Sequence, residues 1–183
     1  LRALTTAQVS VLSSTQSAAL SVDQIAVFTT AQLSTLSTAA LRLLSGDGIA
    51  ALGSSQVAAL TTQQVAALTT LQLSAVDTSG FQALSTVQIG VLGTLQVIAL
   101  SGEEVAALTT SQIASLSTLQ VAALTASQIP SIETADLSAL STAQIRTLNT
   151  TQAAALTEPQ IAALTTVQVG AVSSLIVRAL SVT

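Results

Sequence analysis

The side chains that could support chemistry are few, and they are carboxylates and hydroxyls. The chain has no His, Cys or Lys, so the usual general bases and metal-binding thiolates are absent. Glu103 is adjacent to Glu104, and Asp23 and Asp47 occupy equivalent places in a repeated pattern. Two carboxylates alone make a poor calcium site, and the many Ser and Thr have no base beside them. We therefore expect no catalytic residue, no cofactor and no metal site.

The low charge of the chain limits its partners. Only 7% of the 183 residues are charged, and the net charge is −4 with four basic residues. Nucleic-acid binding needs a basic surface to neutralise phosphates, so we expect none. Ser, Thr or Gln interrupts each apolar run well before it reaches the ~18 residues that a membrane-spanning helix requires. We therefore expect no membrane span.

An eight-residue repeat runs through the whole chain in one register. With Leu4 as position one, the position recurs every eight residues to Leu180, and 19 of these 23 residues are Leu. Position six is almost always apolar, and position five is Gln or Glu in 17 of 22 repeats. The unbroken register predicts one continuous domain over residues 1–183. It also suggests a fragment of a longer array.

The spacing of the apolar residues favours short helices. From position six to the next position one is three residues, and the following step is five. Two odd steps would place the residues on opposite faces of a strand, whereas in one long helix the apolar stripe would drift by about 80° per repeat. A short helix followed by a corner fits better. In the repeat that begins at Leu60, Thr61 is a typical N-cap and Gln64 has the spacing of a capping box.

The charged residues agree with a helix start near position two. All eight acids lie at positions two to five, and all four Arg lie at position seven, as the helix dipole favours. Asn149 begins a glycosylation sequon, but it also occupies the cap position, where Asn is an ordinary residue. Pro130 at position seven is a misfit because proline disrupts the helix interior. We expect a local distortion there.

These observations predict an all-α solenoid of short capped helices, one per eight-residue repeat, with perhaps three repeats per coil. The three-repeat period is suggested by position four, where mainly apolar residues recur every 24 residues. If three repeats form one coil, these residues line up as a possible self-contact column on the surface. The column consists of Leu71, Leu95, Leu119, Ala143 and Val167.

The pattern Leu-[Ser/Thr]-[Ser/Thr]-x-Gln-[Val/Ile]-x-[Ala/Ser] resembles Ala-, Thr- and Gln-rich repeat tracts of very large secreted or surface proteins of bacteria. Segments such as LTTQQVAA and LSTLQVAA carry this resemblance. It implies a spacer, a stalk or a fibre-forming region outside the cell or on its surface.

The expected function is therefore structural and not enzymatic. We expect a rigid rod or spacer that self-associates, laterally or end to end, to build or support an extracellular or cell-surface fibre. The alternative is a binding module, either a solenoid groove for a protein or glycan or a regular Thr array that binds ice. In this alternative the Thr residues at position three, such as Thr62, Thr70 and Thr86, would form the array.

Overall fold

A computed structural model describes residues 3–172 and residue 178 of the chain. The chain forms two compact units, Leu1–Leu92 and Gly93–Thr183, and each is described by itself. Within the described residues the secondary structure is helical and contains no strand. No described helix is long and apolar enough to cross a membrane.

Each described repeat contains one short helix, as the repeat pattern predicts. In the first unit the helices are α1 (Thr6–Ser10), α2 (Ser14–Ala18), α3 (Val22–Ala26), α4 (Thr30–Thr35), α5 (Thr38–Leu41), α6 (Gly46–Ala50), α7 (Ser54–Ala58), α8 (Thr62–Ala67), α9 (Thr70–Leu73), α10 (Thr78–Ala83) and α11 (Thr86–Gly90). In the second unit they are α12 (Thr94–Ala99), α13 (Gly102–Ala107), α14 (Thr110–Ser115), α15 (Thr118–Ala123), a 3₁₀ segment (Ile129–Ser131), α16 (Thr134–Ala139), α17 (Thr142–Ile145), α18 (Thr150–Ala154), α19 (Glu158–Ala163) and α20 (Thr166–Ala171).

The helices begin at the predicted N-caps. In α8 the backbone N–H of Gln64 donates to the Thr61 hydroxyl (3.2 Å), and the Thr61 N–H donates to Gln64 Oε1 (2.8 Å). These bonds satisfy amides that the first turn of a helix leaves without partners. At Gly53, which has no side chain, the Gln56 half of the arrangement remains, with Gly53 N–H donating to Oε1 at 2.8 Å. The sequence therefore encodes the start of each helix locally.

Three repeats make one coil in each unit, which confirms the suggested period. In the first unit each helix packs on the helix three places away along the chain, for example α1 on α4 and α5 on α8. In the second unit, α12, α15, α17 and α20 form one continuous stack, in which each helix contacts the next. Isolated helices of four to six residues are unstable in water, so these helices depend on the stacking.

The solenoid interior is built from positions one and six. Typical core residues are Leu36 and Leu60 at position one, 3% exposed, and Leu33 and Val65 at position six, fully buried. Among the described residues, position four is exposed in every repeat and position three is never buried, as the sequence predicts. The variable residues of the repeat therefore lie on the surface.

Pro130 distorts its repeat as expected. The segment around it is a 3₁₀ turn, Ile129–Ser131, and the repeat has no α-helix. Proline has no N–H to continue the helical bonds and its ring crowds the preceding turn. Ile129 is nevertheless fully buried, so the repeat keeps its place in the interior.

Ser17 is the polar exception in the first unit. It occupies position six of its repeat in α2, is fully buried, and its hydroxyl has no hydrogen-bond partner. A buried, unpaired hydroxyl costs free energy because it loses its bonds to water. This repeat is therefore a weak point of the interior.

We expect Ser17→Ala to raise the free energy of unfolding by about 1–2 kcal/mol, because it removes the unpaired hydroxyl. Thr15→Ala is the matched control, since Thr15 is exposed in the same helix and reports only the change in helix propensity. Urea denaturation followed by circular dichroism measures both. A gain no larger than that of the control would contradict the assignment of a cost to the buried hydroxyl.

Candidate functional site: the inter-coil glutamines

The glutamine at position five connects one coil to the coil below it. Gln64 Oε1 accepts the Thr61 N–H in its own repeat, while Gln64 Nε2 donates to the carbonyls of Leu33 and Leu36, both at 2.8 Å. Leu33 lies near the end of α4, and Leu36 lies at the corner before α5. The amide therefore satisfies a donor at one corner and two acceptors at the corner beneath. We call this arrangement the glutamine bridge.

The same bridge recurs in both units with nearly constant geometry. Each Nε2 donates to the carbonyl 28 residues earlier at 2.6–2.9 Å, and in most cases also to a carbonyl 30 or 31 residues earlier. The glutamines that make this bond include Gln32, Gln56, Gln64, Gln72, Gln88, Gln128, Gln144, Gln152, Gln160 and Gln168. Most of them are buried.

The bridge needs the chemistry of a primary amide. Its oxygen accepts from the corner N–H, and its two N–H groups donate to one carbonyl near the end of a helix and one at the corner that follows that helix. A carboxylate could accept the N–H but could not donate. A side chain that joins two coils must therefore be glutamine, whereas a capping box within one helix could use glutamate equally well.

The Pro130 repeat keeps its bridge although its helix is distorted. Gln128 Oε1 accepts the Thr125 N–H at 2.7 Å, and Nε2 donates to the carbonyls of Val97 (2.8 Å) and Leu100 (2.6 Å). The corner, and not the helix, therefore fixes the position of the glutamine.

Some repeats of the first unit lack the bridge because apolar atoms occupy its place. At Gly48 a Cβ atom would collide with Ile25 Cδ1, and at Gly80 it would lie 2.6 Å from Val76 Cγ1. Neither glycine has a positive φ, so close approach and not backbone conformation favours glycine there. Ala40, which is 1% exposed, also stands in place of glutamine.

Sequence reasoning identified the glutamine as a cap but missed its role between coils. A signal was present, because position five is Gln in 16 of 22 repeats and Glu in only one, Glu104. A capping box alone would not distinguish the two so strongly. The partner carbonyls lie about 28 residues away, and the path of the coil is needed to place them.

The structure does not bring the acidic residues together as a metal site. Glu103 is exposed, and Glu104 is buried with its carboxylate accepting the Ser101 N–H at 2.5 Å. Asp23 and Asp47 are both exposed on the stacked helices α3 and α6. Among the residues that the structure describes, no three acidic side chains lie close enough together to hold a metal ion.

The residues of the self-contact column are exposed in both units. Leu71 of the first unit is 79% exposed, and in the second unit Leu95, Leu119 and Val167 are 74%, 72% and 68% exposed. The last three lie on α12, α15 and α20 of one continuous stack, and Ala143 lies on α17 between them. In the second unit these residues therefore lie on one stack, and their role as a self-contact column stays a prediction.

One-helix repeats, three per coil and joined by side-chain bridges, define a helical solenoid of tandem repeats. The chain belongs to the ALTTAQ repeat family, whose pattern matches residues 1–30, 25–62, 41–70 and 129–166, together more than half of its length. No curated protein and no solved structure matches the chain. The predicted repeat tract is thus confirmed as a member of a repeat family.

We expect Gln64→Glu to lower the free energy of unfolding by about 3 kcal/mol. The carboxylate keeps the bond from Thr61 but faces the carbonyls of Leu33 and Leu36 without a proton to donate. Gln63→Glu is the matched control, because Gln63 is the exposed neighbour. Chemical denaturation of both variants at neutral pH measures the difference. Equal losses in the two variants would show that charge alone, and not the bridge, matters.

Asp136 occupies the bridge position in α16 and offers the opposite test. It is 3% exposed, no hydrogen bond joins its carboxylate to another described residue, and its repeat has no side-chain cap at Glu133. We expect Asp136→Gln to raise the free energy of unfolding by about 1–2 kcal/mol. The new amide would accept the Glu133 N–H and reach the carbonyls of Val105 and Leu108. Glu103→Gln, an exposed change of the same charge, should leave stability almost unaltered in the same denaturation experiment; a gain equal to that of Asp136→Gln would reject the bridge explanation.

Proposed function

We propose that the chain is a non-enzymatic structural protein, a rigid rod or spacer whose length depends on the number of its repeats. It self-associates to build or support a fibre outside the cell or on its surface. The observation that carries the proposal is the glutamine bridge, which joins successive coils of each unit by the same bonds at the same corners.

The bridge supports a spacer because its bonds lie between neighbouring coils. Gln144, Gln152 and Gln160 each donate to carbonyls of the preceding coil, and none depends on a more distant part of the chain. In solenoids of this kind stability is close to a sum of repeat and neighbour terms. Added coils then lengthen the protein without a change in its design.

The surface supports a role in assembly. Few charges keep copies apart, since 7% of the residues are charged, and exposed apolar side chains recur along the stack that contains Leu95 and Leu119. Exposed apolar patches commonly mark contacts. The position outside the cell rests on the resemblance to tracts of large secreted or surface proteins.

A duplication of residues 141–164 tests the spacer. The inserted coil carries three bridge glutamines, so the distance between spin labels at Ser127→Cys and Thr166→Cys, both exposed positions, should increase by one helix-to-helix distance, about 8–10 Å. Double electron–electron resonance measures this separation. The control carries the same insertion with Gln→Glu changes at its three bridge positions, which should prevent the insert from stacking. A glutamine insert that keeps its helical circular dichroism but does not increase the separation would contradict the spacer.

A further inference from the structure

On one face of the second unit, the size and charge of the exposed side chains change along the stack of helices, and this pattern indicates which partner fits the face. We call it the pairing face, and it consists of positions four and seven of α12, α15, α17 and α20, which stack in that order. Position four along this face reads Leu95, Leu119, Ala143 and Val167, and all four side chains are exposed. The face is therefore an apolar strip that the described residues leave uncovered.

The two leucines at position four, Leu95 and Leu119, lie at one end of the stack, and the smaller Ala143 and Val167 lie at the other end. If a second copy lies antiparallel, α12 of one copy faces α20 of the other and α15 faces α17. Leu95 then meets Val167, and Leu119 meets Ala143. Each level contains one leucine and one smaller side chain, so the gap between the two faces is even. In a parallel pair the leucines would meet at two levels and the alanines at the third, which leaves a void that costs contact energy.

Position seven shows the same complementarity independently. Ile98 of α12 is 46% exposed, and Gly170 of α20, which would face it in the antiparallel pair, has no side chain. Ala122 of α15 would face Arg146 of α17, again a small residue against a large one; all of these positions are exposed. Two separate series of residues thus favour the same orientation.

The charges favour the antiparallel pair as well. Arg146 is the charged residue of the pairing face, and its Nε donates to the carbonyl of Ala171 at 3.3 Å, so the side chain lies toward α20. In a parallel pair two copies of Arg146 would lie at the same level, where like charges repel. In the antiparallel pair they lie at different levels, and the aliphatic part of each can cover Ala122 of the other copy.

We propose that the pairing face binds the same face of a second copy in an antiparallel, two-fold arrangement. This inference deepens the proposed function and rests on its self-association, because it names the contact and its orientation. A two-fold contact uses the same patch on both copies and is self-complementary. Fibres built through it contain neighbouring chains of opposite direction.

The contact is weak for one pair of chains. Its apolar area of roughly a few hundred Å² is below the roughly 1,000 Å² of a stable specific interface. Longer arrays would repeat the contact, and several linked weak contacts bind together far more tightly than one. The test on a single chain therefore uses high concentration and covalent capture.

The absence of Cys from the sequence allows a direct test of orientation. Leu95→Cys chains are mixed with Val167→Cys chains of different mass at roughly 100 μM and treated with a short bis-maleimide. The antiparallel pair predicts that mixed dimers exceed both homodimers by about tenfold. Homodimers of Leu95→Cys in excess would show parallel pairing and overturn the proposal, as would monomers alone.

A variant with the same composition tests the face itself. Leu119→Ser combined with Ser111→Leu moves one leucine from α15 to the exposed position four of α14, a helix of another stack. We expect mixed dimers to fall at least about tenfold while the melting temperature is unchanged. Unaltered cross-linking would reject the pairing face. The label separation in the coil-duplication experiment does not depend on pairing, so failure of the contact and failure of the spacer can be distinguished.

Discussion

The bond from a glutamine amide to the coil beneath is the interaction on which each unit depends. A helix of four to six residues leaves most of its backbone donors and acceptors unpaired, and burying these groups without partners would cost more than the apolar contacts provide. Gln64 removes this obstacle, since it pairs a donor above with the carbonyls of Leu33 and Leu36 below. The apolar residues can then pack without unsatisfied polar groups between the coils.

This dependence explains where the first unit is weakest. Gln32 bridges to Leu4 between its first two coils, but the next two repeats carry Ala40 and Gly48 at the bridge position. The unpaired hydroxyl of Ser17 lies in α2, the helix of the first coil that packs against α5 of the second coil. Local opening should therefore cost less free energy between the first two coils than between the coils joined by Gln56, Gln64 and Gln72, because local stability follows the number of buried bonds and contacts.

Much of the fold could be predicted from the sequence because its signals are local. Thr61 and Gln64 lie three residues apart, so a cap can be identified without a fold, and the steric effect of Pro130 is equally local. The bridge could not be predicted, because the Leu33 carbonyl becomes a neighbour of Gln64 only when three repeats close a coil. The 24-residue spacing of Leu95 and Leu119 did suggest three repeats per coil, because residues that line up in one surface column recur at a fixed interval in the sequence. That residues 1–183 form one continuous solenoid stays a prediction.

In a coil of three repeats, the residues that stabilise the fold also differ from the residues that are exposed to partners. Positions one, five and six are held by the interior and the bridges, whereas position four is exposed in every described repeat and is free to vary. Because a stack gathers every third repeat, a change confined to one repeat in three alters one face and leaves the other two as they were. The leucines of α12 and α15 lie on one stack, while α14 carries Ser111 at the same position.

Removing a single eight-residue repeat would preserve each local helix but transfer every later residue to a different stack. Selection for the side chains of one face would therefore act on residues 24 positions apart. Selection for folding would act on equivalent residues of every eight-residue repeat.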